Sequence, residues 1–211
     1  TYHHNLLAGN DSRSPRFNGA RGEDYVVFME YVNNVNFNWG RWNSCYGGEN
    51  SADITEYNGR NSAHECNFMN NYYKPGPESP ANSVFVMASH ARKGATSWGP
   101  ARWYVSGNIM EGNDAATADN WQAMSAEKYT TDQIRVNERI VPEMPYYKLD
   151  ETEGAIGKYR PSRYMLTDIQ TADEAYKTVL KKAGTINRDS TEKRVINDVK
   201  SGNPKFSGSK T

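Results

Sequence analysis

The sequence predicts an all-β chain: a parallel β-helix (a solenoid of stacked coils) with long loops and a short C-terminal helical tail. Three observations lead there. Four segments align on an asparagine, at Asn5, Asn34, Asn71 and Asn108, spaced by 29, 37 and 37 residues, as in a solenoid built of repeated coils. Gly, Pro and Asn recur too often before residue 146 for any sustained 3.6-residue periodicity. After Tyr146 the pattern changes to two short amphipathic stretches.

The chain opens with a short strand from Tyr2 to Ala8, broken by Gly9, Asn10 and Asp11, residues that tolerate a tight turn. Arg13 and Arg16 follow on either side of Pro15. Proline fixes its own φ and biases Ser14 away from helix, so the two guanidiniums are expected on a stiff, extended segment. Such a pair suits anionic groups held in a groove. Later anchors are followed by β-favouring residues, in Asn34-Val35-Asn36-Phe37, Asn71-Tyr72-Tyr73 and Asn108-Ile109-Met110. Asparagines in register can hydrogen-bond along the axis as a ladder and satisfy the turn backbone. Residues 39–49, 74–100 and 111–129 read as long loops on one side, the second holding an apolar run over 83–88. Loops of that length are usually functional or disordered, and here they are expected to wall a groove.

Pro142 to Pro145 marks the end of the repeating part. Two regions are therefore expected: coils over 1–145, then a connector and two-helix tail over 146–211 packed on them. Thr171-Ala172-Asp173-Glu174 forms a capping box, and Ala175, Tyr176, Val179, Leu180 and Ala183 give an apolar stripe ended by Gly184. A second helix starts similarly at Asp189 to Glu192, with Val195, Ile196 and Val199 on one face and Gly202 as its stop. Neither helix has a core of its own, so both are expected along the outside or end of the coils, covering an exposed edge.

Composition narrows the partners. The 211 residues suffice for one domain with a real core. A net charge of +0 and a pI near 6.8 leave no electrostatic footprint for nucleic acid or an anionic membrane. No run approaches the length of a membrane-spanning helix. Neither an initiator Met nor a signal segment heads the sequence, so a processed or cleaved start is expected. Mean hydropathy is −0.88 with 12% aromatic residues, a mix common where proteins hold sugars and also at protein interfaces. Cys45 and Cys66 stand 21 residues apart, close to one coil of a solenoid. That spacing leaves open a disulfide in an oxidising compartment or two buried thiols packed one above the other.

Tyr2-His3-His4-Asn5 followed by Asp11-Ser12-Arg13-Ser14-Pro15-Arg16 resembles the HHN…R-x-P-R signature of pectate lyases and pectin lyases. Asn33 to Gly40, Tyr46-Gly47-Gly48-Glu49, Asn70 to Pro77, Ala101-Arg102-Trp103-Tyr104 and Thr117 to Trp121 extend the likeness. It covers most of the chain but only the C-terminal half of the family pattern. The resemblance implies a right-handed parallel β-helix, secreted, periplasmic or at the cell surface of a bacterium. It also implies an acidic, pectate- or pectin-like polysaccharide as partner, and the N-terminal half of the same protein as a separate chain.

The implied chemistry is β-elimination: a base removes the proton beside the uronate carboxylate and the glycosidic oxygen leaves from the neighbouring carbon. The resemblance puts the base at Arg13 and has Arg16 grip a substrate carboxylate. Arg21, His4, Trp42 and Tyr46 are the further candidate substrate contacts. A guanidinium normally stays protonated, so the base role rests on the resemblance alone and requires a bound cation and neighbouring positive charge. The implied cofactor is Ca2+, with its ligands expected in the missing N-terminal half. Asp11, Glu23, Asp24 and Glu49 qualify as ligands only by chemistry, and solvated carboxylates are the preferred reading. Asn18 stands where many relatives carry a further arginine, a place Arg21 would have to fill.

Plainer readings stand beside these. Arg13 can be a structural arginine paired with Asp11 or Asp24. Trp98 and Trp103, like Trp42 and Tyr46, can stack on sugar or simply pack. Adjacent strand residues point to opposite faces, so His3 and His4 are expected apart, one buried in the coil interior and the other partly exposed. A non-catalytic β-helical glycan-binding or scaffold protein is the alternative function. A glycosidase of the polygalacturonase kind needs paired carboxylic acids, and no tight Asp cluster occurs.

Overall fold

The computed structural model describes residues 1–17, 26–40, 43–48, 63–88, 101–126, 129–141 and 165–205. Their strands form three four-stranded sheets. The first holds β1 (Tyr2–His3), β4 (Val26–Val32), β7 (Ala63–Met69) and β10 (Arg102–Ser106). The second holds β2 (Leu6–Ala8), β5 (Val35–Phe37), β8 (Tyr72–Lys74) and β11 (Ile109–Met110). The third holds β3 (Arg16–Phe17), β6 (Asn43–Gly47), β9 (Val84–Ala88) and β12 (Met124–Ala126). Every pairing between named strands is parallel. The chain visits the sheets in the same sequence four times, an arrangement consistent with a parallel β-helix.

The register puts like on like. Tyr2, Tyr31, Phe68 and Val105 form one row of the first sheet. The Tyr2 and Tyr31 rings stack at 5.6 Å and those of Tyr31 and Phe68 at 5.4 Å, each pair 11° from parallel. Phe17, Tyr31, Phe68, Tyr73, Phe85 and Trp103 belong to one buried cluster. Rings of this size supply most of the apolar area that drives such a fold.

The turn from the first sheet to the second is built the same way in each coil. His4, Asn33, Asn70 and Gly107 all adopt left-handed backbone, with φ of 54°, 57°, 50° and 69°. Asparagine and glycine suit that conformation. The next residue is the ladder asparagine. Backbone N–H of Asn5 donates to Asn34 Oδ1 at 3.0 Å, that of Asn34 to Asn71 Oδ1 at 2.9 Å, and that of Asn71 to Asn108 Oδ1 at 2.9 Å. Asn108 donates in turn to Asn120 Oδ1 at 2.8 Å. Asn120 opens a one-turn 3-10 helix, Asn120–Ala123, that follows α1 (Asp114–Ala118).

Three stretches expected as loops are partly regular. Residues 43–47 and 84–88 are strands of the third sheet, and Trp39 is buried. Residues 111–129 include α1, the 3-10 helix and β12. The physical reason is that each coil needs a third wall, and its short strands, from Asn-Ser-Cys-Tyr-Gly in β6 to Val-Phe-Val-Met-Ala in β9, carry no polar-apolar alternation to announce them.

The cysteine expectation is corrected. Successive coils advance by 29 or 37 residues rather than 21, so the two thiols do not stack. Cys66 lies in the first sheet in a row with Met29 and Trp103, while Cys45 lies in the third beside Val86. Both are buried and free.

Outside the second sheet lie α3 (Ala172–Lys182) and α4 (Ser190–Ser201), each opened by a capping box, Thr171 with Glu174 and Asp189 with Glu192. Val179, Leu180, Ile196 and Val199 share a buried cluster with Val35 and Phe37 of β5. The short helix α2 (Thr131–Ile134) leads into residues 135–141, which run along the first sheet. No helix among the described residues is long and apolar enough to cross a membrane.

Candidate functional site

Arg16 and Tyr46 are register partners in the third sheet. Phe17, next along, is fully buried in the core, so strand alternation turns Arg16 and Tyr46 outward. Arg13 joins them from the preceding turn. It is exposed, and its Nε donates to Tyr46 Oη at 2.7 Å. The guanidinium carbons of Arg13 and Arg16 lie 5.1 and 5.2 Å from the centre of the Tyr46 ring. One phenol thus carries two cations, each attracted by the ring's negative face. Two guanidiniums gathered on one phenol make a cationic pair suited to an anionic group. Among the described residues Arg13 forms no ion pair, with Asp11 or otherwise.

The extended-segment expectation is corrected: Arg13 has φ of 63° and sits in left-handed backbone. A non-glycine residue stays there only when its surroundings over-determine it. Ser14 supplies the anchor. Its N–H donates to Ser44 O at 2.9 Å, and its carbonyl accepts from Asn36 Nδ2 and from Cys45 Sγ, the latter at 2.7 Å. Asn36 also accepts from Tyr31 Oη at 2.8 Å, and Cys45 contacts Tyr73 Oη at 3.1 Å. Burial pushes the Cys45 thiol up to about 12 and raises both phenols as well. All of these groups stay neutral near pH 7. A buried polar network of neutral donors therefore pins the peptide between the two arginines.

That network was missed in the sequence. Its signal is a polar Asn36 at the centre of the apolar triplet Val35-Asn36-Phe37, where neighbouring coils place Leu7 and Tyr73 in the same row.

Other candidates fall elsewhere. Tyr46 is only 8% exposed, so it supports the arginines rather than offering an open face. Trp103 is fully buried in the core. His4 lies at the turn between the first two sheets, where its Nε2 meets Gln170 Oε1 at 3.0 Å, and it lines a groove with Tyr2, Leu6 and Ile196. The expectation for the histidine pair is corrected. Neither enters the coil interior: His3 is exposed and His4 half-buried, because the left-handed turn at His4 breaks the strand alternation. Arg21, Trp42, Trp98, Asn18, Glu23, Asp24 and Glu49 lie outside the described residues.

Calcium needs six to eight oxygen ligands. Asp11 is the one acidic candidate among the described residues, and no group of three or more His, Cys, Asp and Glu converges there. Among the described residues the carboxylates do not converge on a calcium site. No family model and no curated protein matches this chain.

Proposed function

We propose that the protein is a polysaccharide lyase of the pectate lyase kind, cleaving a polyuronate by β-elimination on a right-handed parallel β-helix. The coiled arrangement of three parallel sheets supports that fold, since parallel crossovers are right-handed in almost all proteins. The observation that carries the function is the Arg13–Tyr46–Arg16 group: two guanidiniums on one aromatic ring at the outer face of the third sheet. Arg16 grips the uronate carboxylate, which acidifies the neighbouring C–H. Arg13, in its neutral form, takes that proton; the C–H electron pair forms the carbon–carbon double bond, and the glycosidic oxygen leaves with its bonding pair and is protonated by water.

The experiment is incubation of the full chain with polygalacturonate, with and without added calcium, following the ultraviolet absorbance of the unsaturated product. Absorbance that grows in the wild type and is lost in Arg13→Ala supports lyase chemistry. Retention of polyuronate with no absorbance change at any calcium level would instead make this a glycan-binding protein.

A further inference from the structure

A second site, remote from the arginines in the chain's path, is formed by His3 and His4. Consecutive residues of a strand project to opposite faces. Here the left-handed backbone of His4, at φ 54°, swings its ring back toward His3. The two Nδ1 atoms end 2.9 Å apart, with the rings perpendicular at 89°. His4 Nε2 faces Gln170 Oε1 at 3.0 Å. That oxygen only accepts, so Nε2 carries the proton and His4 Nδ1 presents a lone pair.

The backbone of Gln170 is itself fixed. Its main-chain carbonyl accepts from Asn33 Nδ2 at 2.7 Å and Asn70 Nδ2 at 2.8 Å, and its main-chain N–H donates to Asn33 Oδ1 at 3.1 Å. A carboxamide carried on an anchored main chain thus sets the tautomer of His4 from behind, as the outer partners of metal-binding histidines do. In neutral His3, moving the ring proton from Nδ1 to Nε2 frees a second lone pair on a nitrogen 2.9 Å from the first.

We propose that His3 and His4 form a two-nitrogen chelate for a tetragonal divalent transition-metal ion, water filling the remaining positions. The spacing selects the class of metal. Nitrogens about 2.0–2.1 Å from an ion and 2.9 Å from each other subtend about 90°. A tetrahedral ion would need them about 3.3 Å apart. Right-angled nitrogen ligation belongs to copper(II) and nickel(II), and copper leads the affinity order. This site is independent of the lyase reading.

The test is titration of the full chain with Cu2+, followed by calorimetry and electron paramagnetic resonance, in wild type, His3→Ala, His4→Asn and Gln170→Ala. His4→Asn keeps the turn, because Asn33 and Asn70 hold the same position in the next two coils with φ of 57° and 50°. One equivalent should bind with the hyperfine pattern of two imidazole nitrogens, and tighter than Zn2+. His3→Ala and His4→Asn should each lose at least about tenfold in affinity, and Gln170→Ala about tenfold. Absence of binding, a single-imidazole spectrum, or binding that survives His4→Asn with only His3 required would overturn the proposal. In that case the 2.9 Å contact is a hydrogen bond between rings.

Discussion

Asn71 Oδ1 receives two hydrogen bonds from Asn34, one from the backbone N–H at 2.9 Å and one from Nδ2 at 3.1 Å. Asn71 Nδ2 in turn donates to Tyr31 O and to Asn108 Oδ1. Both asparagines are fully buried. Asn71→Ala would strand the Asn34 backbone N–H and take a partner from Tyr31 O and from Asn34 Nδ2, while Asn108 Oδ1 keeps the backbone N–H of residue 71. Each unsatisfied buried group costs about 1–3 kcal/mol, so we expect a loss above about 3 kcal/mol in urea unfolding. Asn5→Ala, at the half-buried end of the ladder, should cost about 1 kcal/mol. Equal losses at the two positions would contradict a graded ladder.

Tyr46→Phe removes the acceptor for Arg13 Nε and keeps the ring beneath both guanidiniums. Hydrogen bonds to charged groups contribute about 1.5–3 kcal/mol, so kcat on polygalacturonate should fall roughly tenfold or more with little change in KM. Tyr46→Leu, which also removes the ring, should raise KM as well. Steady-state kinetics of the two variants separate these effects.

Glu30 is buried on the outer face of β4 and accepts from Arg139 Nε at 3.1 Å, from Leu166 N at 2.8 Å and from Thr1 Oγ1 at 3.1 Å. Arg139→Met leaves that carboxylate without its cation, a change worth about 3–5 kcal/mol for a buried pair. Hydrogen exchange should rise first in residues 136–141 and 165–170, ahead of β7. Uniform exchange across all strands would show that the strap is not a separate unit.

The helical region should loosen in acid. Hydrogen bonds from Thr171 hold the Glu174 carboxyl below its ordinary range, and those from Thr185 do the same for Glu192. A carboxylate lowered on folding stabilises the fold above its unfolded pKa and loses that contribution as pH falls through the folded value. The loss should therefore begin below about pH 4.3. Helix-specific hydrogen exchange in wild type and in Glu174→Gln/Glu192→Gln should differ near neutrality and converge in acid. A gap that persists in acid would mean the carboxylates act through something other than charge.

Legibility in the sequence followed the range of the interactions involved. The ladder could be read because Asn34, Asn71 and Asn108 each perform the same local job, accepting from the turn one coil before, with Asn5 as the first donor, and the job forces residue type at a fixed spacing. Thr171 and Glu174 could be read because a capping box spans only four residues. The third sheet could not: β6 reads Asn-Ser-Cys-Tyr-Gly, and its strand character comes from lying between β3 and β9. Nor could the convergence of His3 and His4, which depends on one backbone angle. Arg13 and Arg16 could be read as a pair, but that the ring of Tyr46 carries both cations follows from register, which composition does not encode.

The asparagine ladder has a direction, and Asn120 is its terminus. Its side chain takes the last rung's N–H and returns its own N–H groups to Asn108 O and Ala116 O. Nearby, Thr117 Oγ1 accepts from Met110 N, and Val136 N donates to Trp103 O along the rim of β10. A foreign strand arriving on that side finds the adhesive spots already taken. Substitutions meant to block strand addition at that end would therefore be wasted at Ile109, whose neighbours' backbone groups are already engaged.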